Sequence, residues 1–140
     1  MSIPFGAHIP FVQHLGFTLE KFDGGESELH FAPRPEHLNS FDVTHGGAVM
    51  TLLDVVMATA ARSIDPEMGV VTIEMKTTFM RPAKVPAGQK LVGKGQLQHR
   101  TRSMAFTEGR IYDTEGQLCA TATGTFKYVS RRETPSPSTD

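Results

Sequence analysis

The chain contains a long apolar run over residues 48–61, interrupted by three polar residues: Thr51, Asp54 and Thr59. Residues of high helix propensity fill this run, so the pattern predicts a helix that begins near His45 or Gly46 and ends near Arg62. A helix that is apolar on nearly every side is typical of a buried helix in a water-soluble protein. Its polar breaks and flanking charges argue against a membrane span.

Alternating apolar and polar residues predict six strands around this helix. Two strands precede it, at residues 16–22 and 26–31, and Asp23-Gly24-Gly25 between them is typical of a tight hairpin turn. Four strands follow it and are predicted to form a meander, at residues 70–80, 90–100, 103–112 and 117–129. A short helix is also predicted over Pro10–Leu15, and one helical turn over residues 36–39.

The alternation assigns side chains to the two faces of the predicted sheet. In the strand at 70–80, one face carries Val71, Ile73, Met75, Thr77 and Phe79, and the other carries Thr72, Glu74, Lys76 and Thr78. The next strand groups Leu91, Gly93, Gly95 and Leu97. The last strand groups the small residues Ala120, Ala122 and Gly124, which lets the central helix approach closely. The predicted fold is α+β, with a curved antiparallel sheet wrapped around one long helix.

Composition sets broader bounds on the protein. A length of 140 residues predicts a single domain over residues 1–130, followed by a mobile polar tail over 131–140. The net charge of −1 gives no general attraction to nucleic acid or anionic membranes. A single cysteine, Cys119, excludes an internal disulfide and fits a reducing compartment. Because the N-terminus also lacks the pattern of a signal peptide, we expect a cytoplasmic protein.

Asp54 is the exception within the apolar helix. An isolated carboxylate in a protein core costs on the order of several kcal/mol unless it is hydrogen-bonded, paired or protonated. A carboxylate held at that cost, with access to water or substrate, suits general-base or nucleophilic chemistry. The alternatives are that Asp54 faces solvent on a narrow polar stripe with Thr51, or that it caps a neighbouring strand.

The glycine pair Gly46-Gly47 marks the predicted start of the same helix. Glycines at this position leave unpaired backbone N–H groups with no side chain over them. These groups, together with the helix dipole, can hold an oxyanion or polarise a carbonyl. The alternative is an ordinary glycine-rich turn.

The spacing between these two features has a geometric consequence. Asp54 lies nine residues after His45, which is about 13 Å along a helix and about half a turn out of phase. The helix start and Asp54 of one chain therefore cannot converge on one bond. If both take part in chemistry, one of them comes from another chain, which predicts an oligomer with shared sites.

Other site classes lack their sequence patterns. The six histidines and one cysteine show no spacing typical of a metal site, so no metal is expected. No Walker-type glycine loop is present, and Ser103 lacks the turn of a serine hydrolase. His8, His14, His30 and His37 fit surface or packing roles, and Cys119 fits a structural role.

The residues described above resemble those of the hotdog-fold acyl-CoA thioesterases. The resemblance is to the PaaI-like (phenylacetate-pathway) branch of the 4-hydroxybenzoyl-CoA thioesterase superfamily, and it extends from about Pro10 to Tyr128. It rests on Asn39, six residues before His45-Gly46-Gly47, and on Asp54. It also rests on two strand sequences, V-T-I-E-M-K-T-T-F-M-R-P-A at 71–83 and D-T-E-G-Q-L-C-A-T-A-T-G-T-F at 113–126.

The resemblance implies hydrolysis of an acyl- or aroyl-CoA thioester to the carboxylic acid and free CoA. It assigns Asp54 as general base or nucleophile and the Gly46 backbone N–H as the group that polarises the thioester carbonyl. It places Asn39 and His45 near the thioester, with His45 orienting the loop. It assigns the hydroxyl that helps to place water to Thr72, where some relatives carry serine.

The family site lies between two subunits, so the resemblance also implies a homodimer or homotetramer with shared active sites, and we expect the homotetramer. The substrate is an acyl-CoA, no separate cofactor is needed, and neither nucleic acid nor membrane is an expected partner. Coenzyme A carries phosphates, and the candidate groups to bind it are Gly47, Arg81, Lys84, Arg100 and Arg102. The alternative is that these basic residues are ordinary surface charges.

Two other functions remain open at this stage. One is a hotdog hydratase or dehydratase that acts on acyl thioesters, and the other is a non-catalytic acyl-CoA-binding protein. The sequence does not fix the acyl group, because the packing of Met50, Met57 and Phe79 against the partner chain decides the pocket.

Overall fold

Residues 2–131, which the computed structural model describes, form two α-helices, one 3₁₀ turn and six strands. The helices are α1 (Pro10–Leu15) and α2 (Gly46–Arg62), and the 3₁₀ turn is Pro35–His37. The strands are β1 (Thr18–Asp23), β2 (Glu26–Phe31), β3 (Met68–Phe79), β4 (Leu91–Arg100), β5 (Met104–Tyr112) and β6 (Leu118–Ser130). The two predicted helices and six predicted strands are therefore confirmed, with ends that shift by one or two residues.

The six strands form one antiparallel sheet in the order β1-β2-β4-β5-β6-β3. The predicted four-strand meander is wrong, because β3 does not pair with β4. Instead β4 pairs with β2, and β3 pairs with β6 at the far edge of the sheet. The chain between β2 and β4 thus carries both α2 and β3, and this long excursion lets the helix cross the face of the sheet.

The hairpin between β1 and β2 has the predicted turn. Gly24 and Gly25 have φ angles of 59° and 85°, which match the left-handed backbone of a type I′ turn. Gly16 ends α1 with a φ of 80°, and its N–H bonds carbonyls of the last helical turn. These glycines therefore occupy positions where other residues would be strained.

The buried core lies between α2 and the concave face of the sheet. Its largest fully buried side chains come from both layers: Phe31, Phe126, Leu19, Leu29, Leu52, Leu53, Met57, Leu91 and Ile111. The helix approaches the sheet closely at Gly95, where an added Cβ would lie 2.2 Å from the carbonyl oxygen of Val56. The predicted small-residue face of β6 also contacts α2, since a Cβ on Gly124 would lie 3.0 Å from Met57.

α2 is buried on every side only in its last turn, over residues 59–62, and is partly exposed before it, which differs from the predicted all-round burial. Val49, Leu52, Leu53, Val56 and Met57 are buried, whereas Met50 is 38% exposed. Thr51, Asp54, Val55 and Ala58 are half-buried, and Val55 and Ala58 also pack against the core. An apolar helix face without cover in one chain indicates a surface that another molecule can cover.

Within residues 2–131, no helix has both the length and the apolar composition needed to span a membrane. The predicted polar tail at 131–140 lies outside the described residues except for Arg131, whose guanidinium donates a hydrogen bond to the Gly6 carbonyl at 3.1 Å.

Candidate functional site

Asp54 is half-buried near the middle of α2 and faces β3. The hydroxyl of Thr72 donates a hydrogen bond of 2.7 Å to its Oδ1 atom. Burial raises the pKa of the Asp54 carboxyl above its ordinary value, and the Thr72 hydrogen bond opposes this effect by lowering it. The carboxylate is thus held partly out of water with one specific partner, which is an arrangement suited to a base.

The hydrogen-bond partners bear on the alternatives for Asp54. Thr51 and Asp54 are both half-buried on α2, and the Thr51 hydroxyl donates to the Gly47 carbonyl at 2.8 Å. Asp54 does not cap a strand, because its partner is the side chain of Thr72 and not a strand backbone. Thr72 and Asp54 therefore form a side-chain pair between edge strand and helix.

A β-bulge in β3 brings Thr72 to the helix. The register with β6 shifts between Thr72 and Glu74, so Ile73 is the additional residue. Thr72 pairs with Phe126 and Met75 pairs with Gly124, and both partners face the core. The prediction that Thr72 lies on the opposite face from Met75, Thr77 and Phe79 is therefore wrong, because simple alternation takes no account of the inserted residue.

The start of α2 presents one unpaired amide. His45 is the N-cap, and its Nδ1 atom accepts a hydrogen bond of 2.8 Å from the Gly47 N–H. A Cβ on Gly47 would lie 3.0 Å from that nitrogen, so glycine permits this cap. The Gly46 N–H has no hydrogen-bond partner among residues 2–131. The His45 side chain thus accepts the hydrogen bond of the Gly47 N–H, and the Gly46 N–H stays available at the positive end of the helix dipole.

Asn39 organises the loop that leads into α2. Its Oδ1 atom accepts hydrogen bonds from the N–H groups of Phe41 at 2.9 Å and Val43 at 3.3 Å. Its backbone N–H also donates to the Val43 carbonyl at 2.9 Å. The loop contains Asp42 at a φ of 59°, an uncommon value for a non-glycine residue. The side-chain oxygen of Asn39 is therefore used by hydrogen bonds within the loop, and the side-chain NH₂ group is the part that can bind a ligand.

A cavity of about 620 Å³ opens beside the Gly46 amide. Its polar lining is formed by Asn39, Thr44, Gly46 and Arg81. Its apolar lining is formed by Phe41, Val43, Val49, Phe79, Met80, Pro82, Ala83, Cys119 and Ala120. An apolar cavity with a few polar groups at one side is typical of a small-molecule site.

Asp54 and Thr72 lie outside this cavity. Gly46 lies next to Phe79 at the end of β3, since a Cβ on Gly46 would lie 3.5 Å from the Phe79 ring. Asp54 instead bonds Thr72, which precedes Phe79 by seven residues on β3. Seven residues of strand extend over about 20 Å, and the eight residues from Gly46 to Asp54 rise about 12 Å along the helix. One chain therefore holds the two candidate groups apart, as the spacing in the sequence predicts.

The candidate basic residues lie at opposite ends of the sheet. Arg81 and Lys84 follow β3 and line a second cavity of about 580 Å³, and Arg81 also bonds the Gln117 side chain. Arg100 lies at the other end, where it contacts Asp65 at 3.3 Å and stacks over the Tyr128 ring at 4.1 Å. Arg102 is exposed next to it. Arg81 and Lys84 are thus the pair that adjoins the Gly46 cavity within one chain.

Several residues at the site were not predicted from the sequence. Phe41, Val43 and Thr44 line the cavity, and their position between Asn39 and His45 was the available signal. Cys119 is buried as expected but also lines the cavity. His37, treated as one of several packing histidines, is buried directly behind the loop. Among residues 2–131, no cluster of three or more His, Cys, Asp or Glu side chains has the geometry of a metal site.

The fold and site together define a hotdog protein, in which an antiparallel sheet wraps one long helix whose N-terminus borders a cavity. The Thioesterase superfamily model matches residues 41–120, which is more than half of the chain. The chain therefore belongs to the thioesterase superfamily, and it is a thioester hydrolase.

Individual relatives agree with this family. The medium/long-chain acyl-CoA thioesterase YigI of Escherichia coli K12 is 24% identical over 140 residues, which covers 87% of each chain. A conserved protein of Pseudomonas aeruginosa has a TM-score of 0.81 at 23% identity, covers 89% of this chain and 97% of its own, and shows the shared fold. A variant of the phenylacetic acid degradation protein PaaI from Thermus thermophilus is 26% identical with a TM-score of 0.75, covering 85% and 98%.

Proposed function

We propose that this protein hydrolyses acyl-CoA thioesters to the carboxylic acid and free CoA at a site shared between two copies of the chain. The observation that carries the proposal is the separation of two complementary groups on α2. A partly desolvated carboxylate, Asp54, has a hydroxyl partner, and an unpaired amide, Gly46, borders the cavity. Two copies can bring these groups to one thioester.

The edge strand β3 supports this assembly. β3 ends the sheet, and its Val71 and Ile73 side chains are 45% and 52% exposed. A second β3 that pairs antiparallel about a twofold axis near Met75 sets Thr72 of one copy opposite Phe79 of the other. Because Gly46 lies against Phe79 in its own chain, this arrangement brings the Asp54–Thr72 pair toward the partner's α2 start. The homodimer so formed, or a homotetramer of two such dimers, has two equivalent sites.

Each group then has a defined task. The Gly46 N–H donates to the thioester oxygen and stabilises the negative charge that develops as the carbonyl is attacked. Asp54 acts as the base that removes a proton from water, or as the nucleophile, and Thr72 orients the carboxylate or the water. His45 holds the helix start, and the Asn39 amide lies at the cavity wall. The reaction uses water and no separate cofactor, since CoA is part of the substrate.

Phosphate recognition is the task proposed for the basic residues. Arg81 and Lys84 adjoin the cavity, whereas Gly47 gives its amide to His45 and contributes an open backbone surface. Arg100 and Arg102 belong to the other end of their own chain, where they can serve the site to which their Asp54 contributes. A guanidinium gives bidentate phosphate contacts and an ammonium gives a point charge.

The test is release of free thiol from a panel of CoA thioesters that includes phenylacetyl, short, medium and long saturated acyl groups. We expect thiol release for the wild type and a rate at least about 100-fold lower for Asp54→Asn at equal folded concentration. Tight CoA-thioester binding without thiol release indicates a binding protein, and modification of the acyl chain without thiol release indicates a hydratase. Either of these results contradicts the proposal.

A further inference from the structure

His37 is a buried histidine outside the groups assigned to the reaction. Its side chain is 6% exposed and packs against the ring of Phe31, with centroids 5.3 Å apart. Its Nδ1 atom accepts a hydrogen bond of 2.9 Å from the Arg34 N–H. A ring nitrogen that accepts is unprotonated, so the imidazole is neutral and carries its proton on Nε2. No described residue bonds that Nε2 atom.

The hydrogen bond to Arg34 closes a very short turn. Pro35–His37 is a single 3₁₀ turn, and a turn of this length has little stability of its own. The Nδ1 atom of His37 accepts the hydrogen bond from the N–H of Arg34, the N-cap residue of the turn. The His37 N–H donates in return to the Arg34 carbonyl at 2.8 Å. Ring and backbone of His37 thus clamp Arg34 from two sides and fix the direction of the next residues.

The backbone carbonyl of His37 then connects this turn to α2. It accepts a hydrogen bond of 2.8 Å from the N–H of His45, the N-cap residue. The residues next to His37 and His45 are also connected, since Leu38 and Thr44 form an antiparallel β-bridge. The Thr44 N–H donates a further hydrogen bond of 3.1 Å to the Ala83 carbonyl. A short two-stranded bridge therefore lies directly behind the helix start.

We propose that His37 is a positioning residue that sets the direction of the Gly46 amide through His45. The inference rests on the role proposed above for Gly46. The neutral ring holds the turn, the turn presents the His37 carbonyl, and this carbonyl fixes His45. His45 in turn accepts the Gly47 N–H and leaves the Gly46 N–H free for the thioester. A displacement of about 1 Å in such a donor can lower a rate by as much as about 100-fold.

Two substitutions distinguish the hydrogen bond of the His37 ring nitrogen from the packing of the ring. His37→Asn keeps an acceptor at the position of Nδ1 and loses ring packing, whereas His37→Phe keeps a ring and loses the acceptor. If the nitrogen positions the site, His37→Phe lowers kcat by about 10-fold or more, with KM changed by less than about 3-fold. His37→Asn then retains kcat within about 3-fold of wild type, although it loses more packing.

A double-mutant cycle tests whether His37 acts through Gly46. Gly46→Pro removes the amide hydrogen at the first helical position, where proline is well tolerated. In that background, His37→Phe is expected to lower kcat by less than about 2-fold, because no donor remains to be misplaced. Equal losses of kcat in both backgrounds would show that His37 acts by another route and would overturn the proposal.

Hydrogen exchange of a peptide that covers residues 44–50 gives a reading that does not require activity. We expect faster exchange in His37→Phe and wild-type exchange in His37→Asn, with thermal melting as a check of folding. If the wild type hydrolyses CoA thioesters and both variants match it in kcat and exchange, the positioning role is wrong while the proposed function stands. If the wild type releases no thiol, the proposed function is wrong, and unchanged exchange in His37→Phe would reject the positioning role as well.

Discussion

The Thr72 hydroxyl donates a 2.7 Å hydrogen bond to the Asp54 carboxylate and joins the middle of α2 to the edge strand β3. The same bond opposes the effect of burial on the Asp54 pKa. A carboxyl with a raised pKa is a stronger base once ionised, and the hydroxyl keeps it ionised to lower pH. Substitutions in this pair therefore test the proposed activity and the stability together.

Replacing Asp54 separates function from folding. Asp54→Asn is expected to lower kcat for thiol release by about 10²–10⁴-fold, since that is the range contributed by a positioned base. The free energy of unfolding is expected to rise at neutral pH. Because the folded pKa is raised, stability is greatest below the unfolded pKa and falls as pH rises through the folded pKa. Denaturant unfolding at pH 7 provides the measurement, and an active Asn variant would remove Asp54 from the mechanism.

Thr72 provides a test of pH dependence for the proposed base Asp54. Thr72→Val removes the hydrogen bond that lowers the Asp54 pKa, so the acid limb of the kcat profile is expected to move to higher pH. Thr72→Ser keeps the hydroxyl and serves as the matched control, with a limb close to that of wild type. kcat measured between pH 4 and 8 compares the three proteins. Identical acid limbs in all of them would show that Asp54 does not set the profile.

Gly46 offers a test of the amide itself. His45 has φ −59° and ψ 136°, which is the extended backbone that proline accepts before it. Gly46→Pro is therefore expected to fold and to lower kcat by about 10²–10³-fold through loss of one donor. Gly46→Ala retains the N–H, and its Cβ meets the Phe79 ring at an ordinary 3.5 Å, so it should lose much less. Helical circular dichroism and kcat are the measurements, and equal activity of the two variants would contradict the role of the amide.

Gly95 lies at a close contact between helix and sheet. A Cβ at this position would lie 2.2 Å from the Val56 carbonyl oxygen and 2.7 Å from the Ser27 hydroxyl. Gly95→Ala is expected to lower the free energy of unfolding by about 3 kcal/mol or more, because both layers must separate. Gly69→Ala on β3 is the control, since its Cβ would meet Val129 at 3.5 Å. Thermal or urea unfolding compares them, and a small loss for Gly95→Ala would mean that the layers can separate freely.

Protonation of the buried His37 is expected to lower the free energy of unfolding in acid. Burial lowers the pKa of its imidazole, with further effects from Arg34 and His14, which lower it, and Glu36, which raises it. The folded state therefore resists protonation, so stability is complete above the unfolded pKa of about 6.5 and decreases as pH falls toward the folded pKa. His37→Asn should remove this component. Unfolding free energies between pH 7.5 and 5 provide the comparison, and parallel curves for both proteins would exclude His37 as the source.

The structure differs from the sequence prediction in the faces of β3 and in the order of the strands. Simple alternation identified β3 but placed Thr72 on the wrong face, because a bulge at Ile73 leaves no distinct mark in the pattern. The predicted meander failed at β3, because β3 pairs with β6 and not with β4, and local spacing does not record pairing between distant segments. His37 and Cys119 look unremarkable in sequence because burial, not residue type, distinguishes them.

The sequence by itself determined the limits of α2, its glycine-rich start, the hairpin turn and the half-turn separation between that start and Asp54. These properties depend on propensity and spacing along one element, which the residue order contains directly. Tertiary structure decided that Thr72 meets Asp54, that His45 occupies the Gly47 amide and leaves that of Gly46 open, and that Arg81 and Arg100 lie at opposite ends. These relationships depend on register and close packing between distant segments, where a shift of one residue changes which side chains meet.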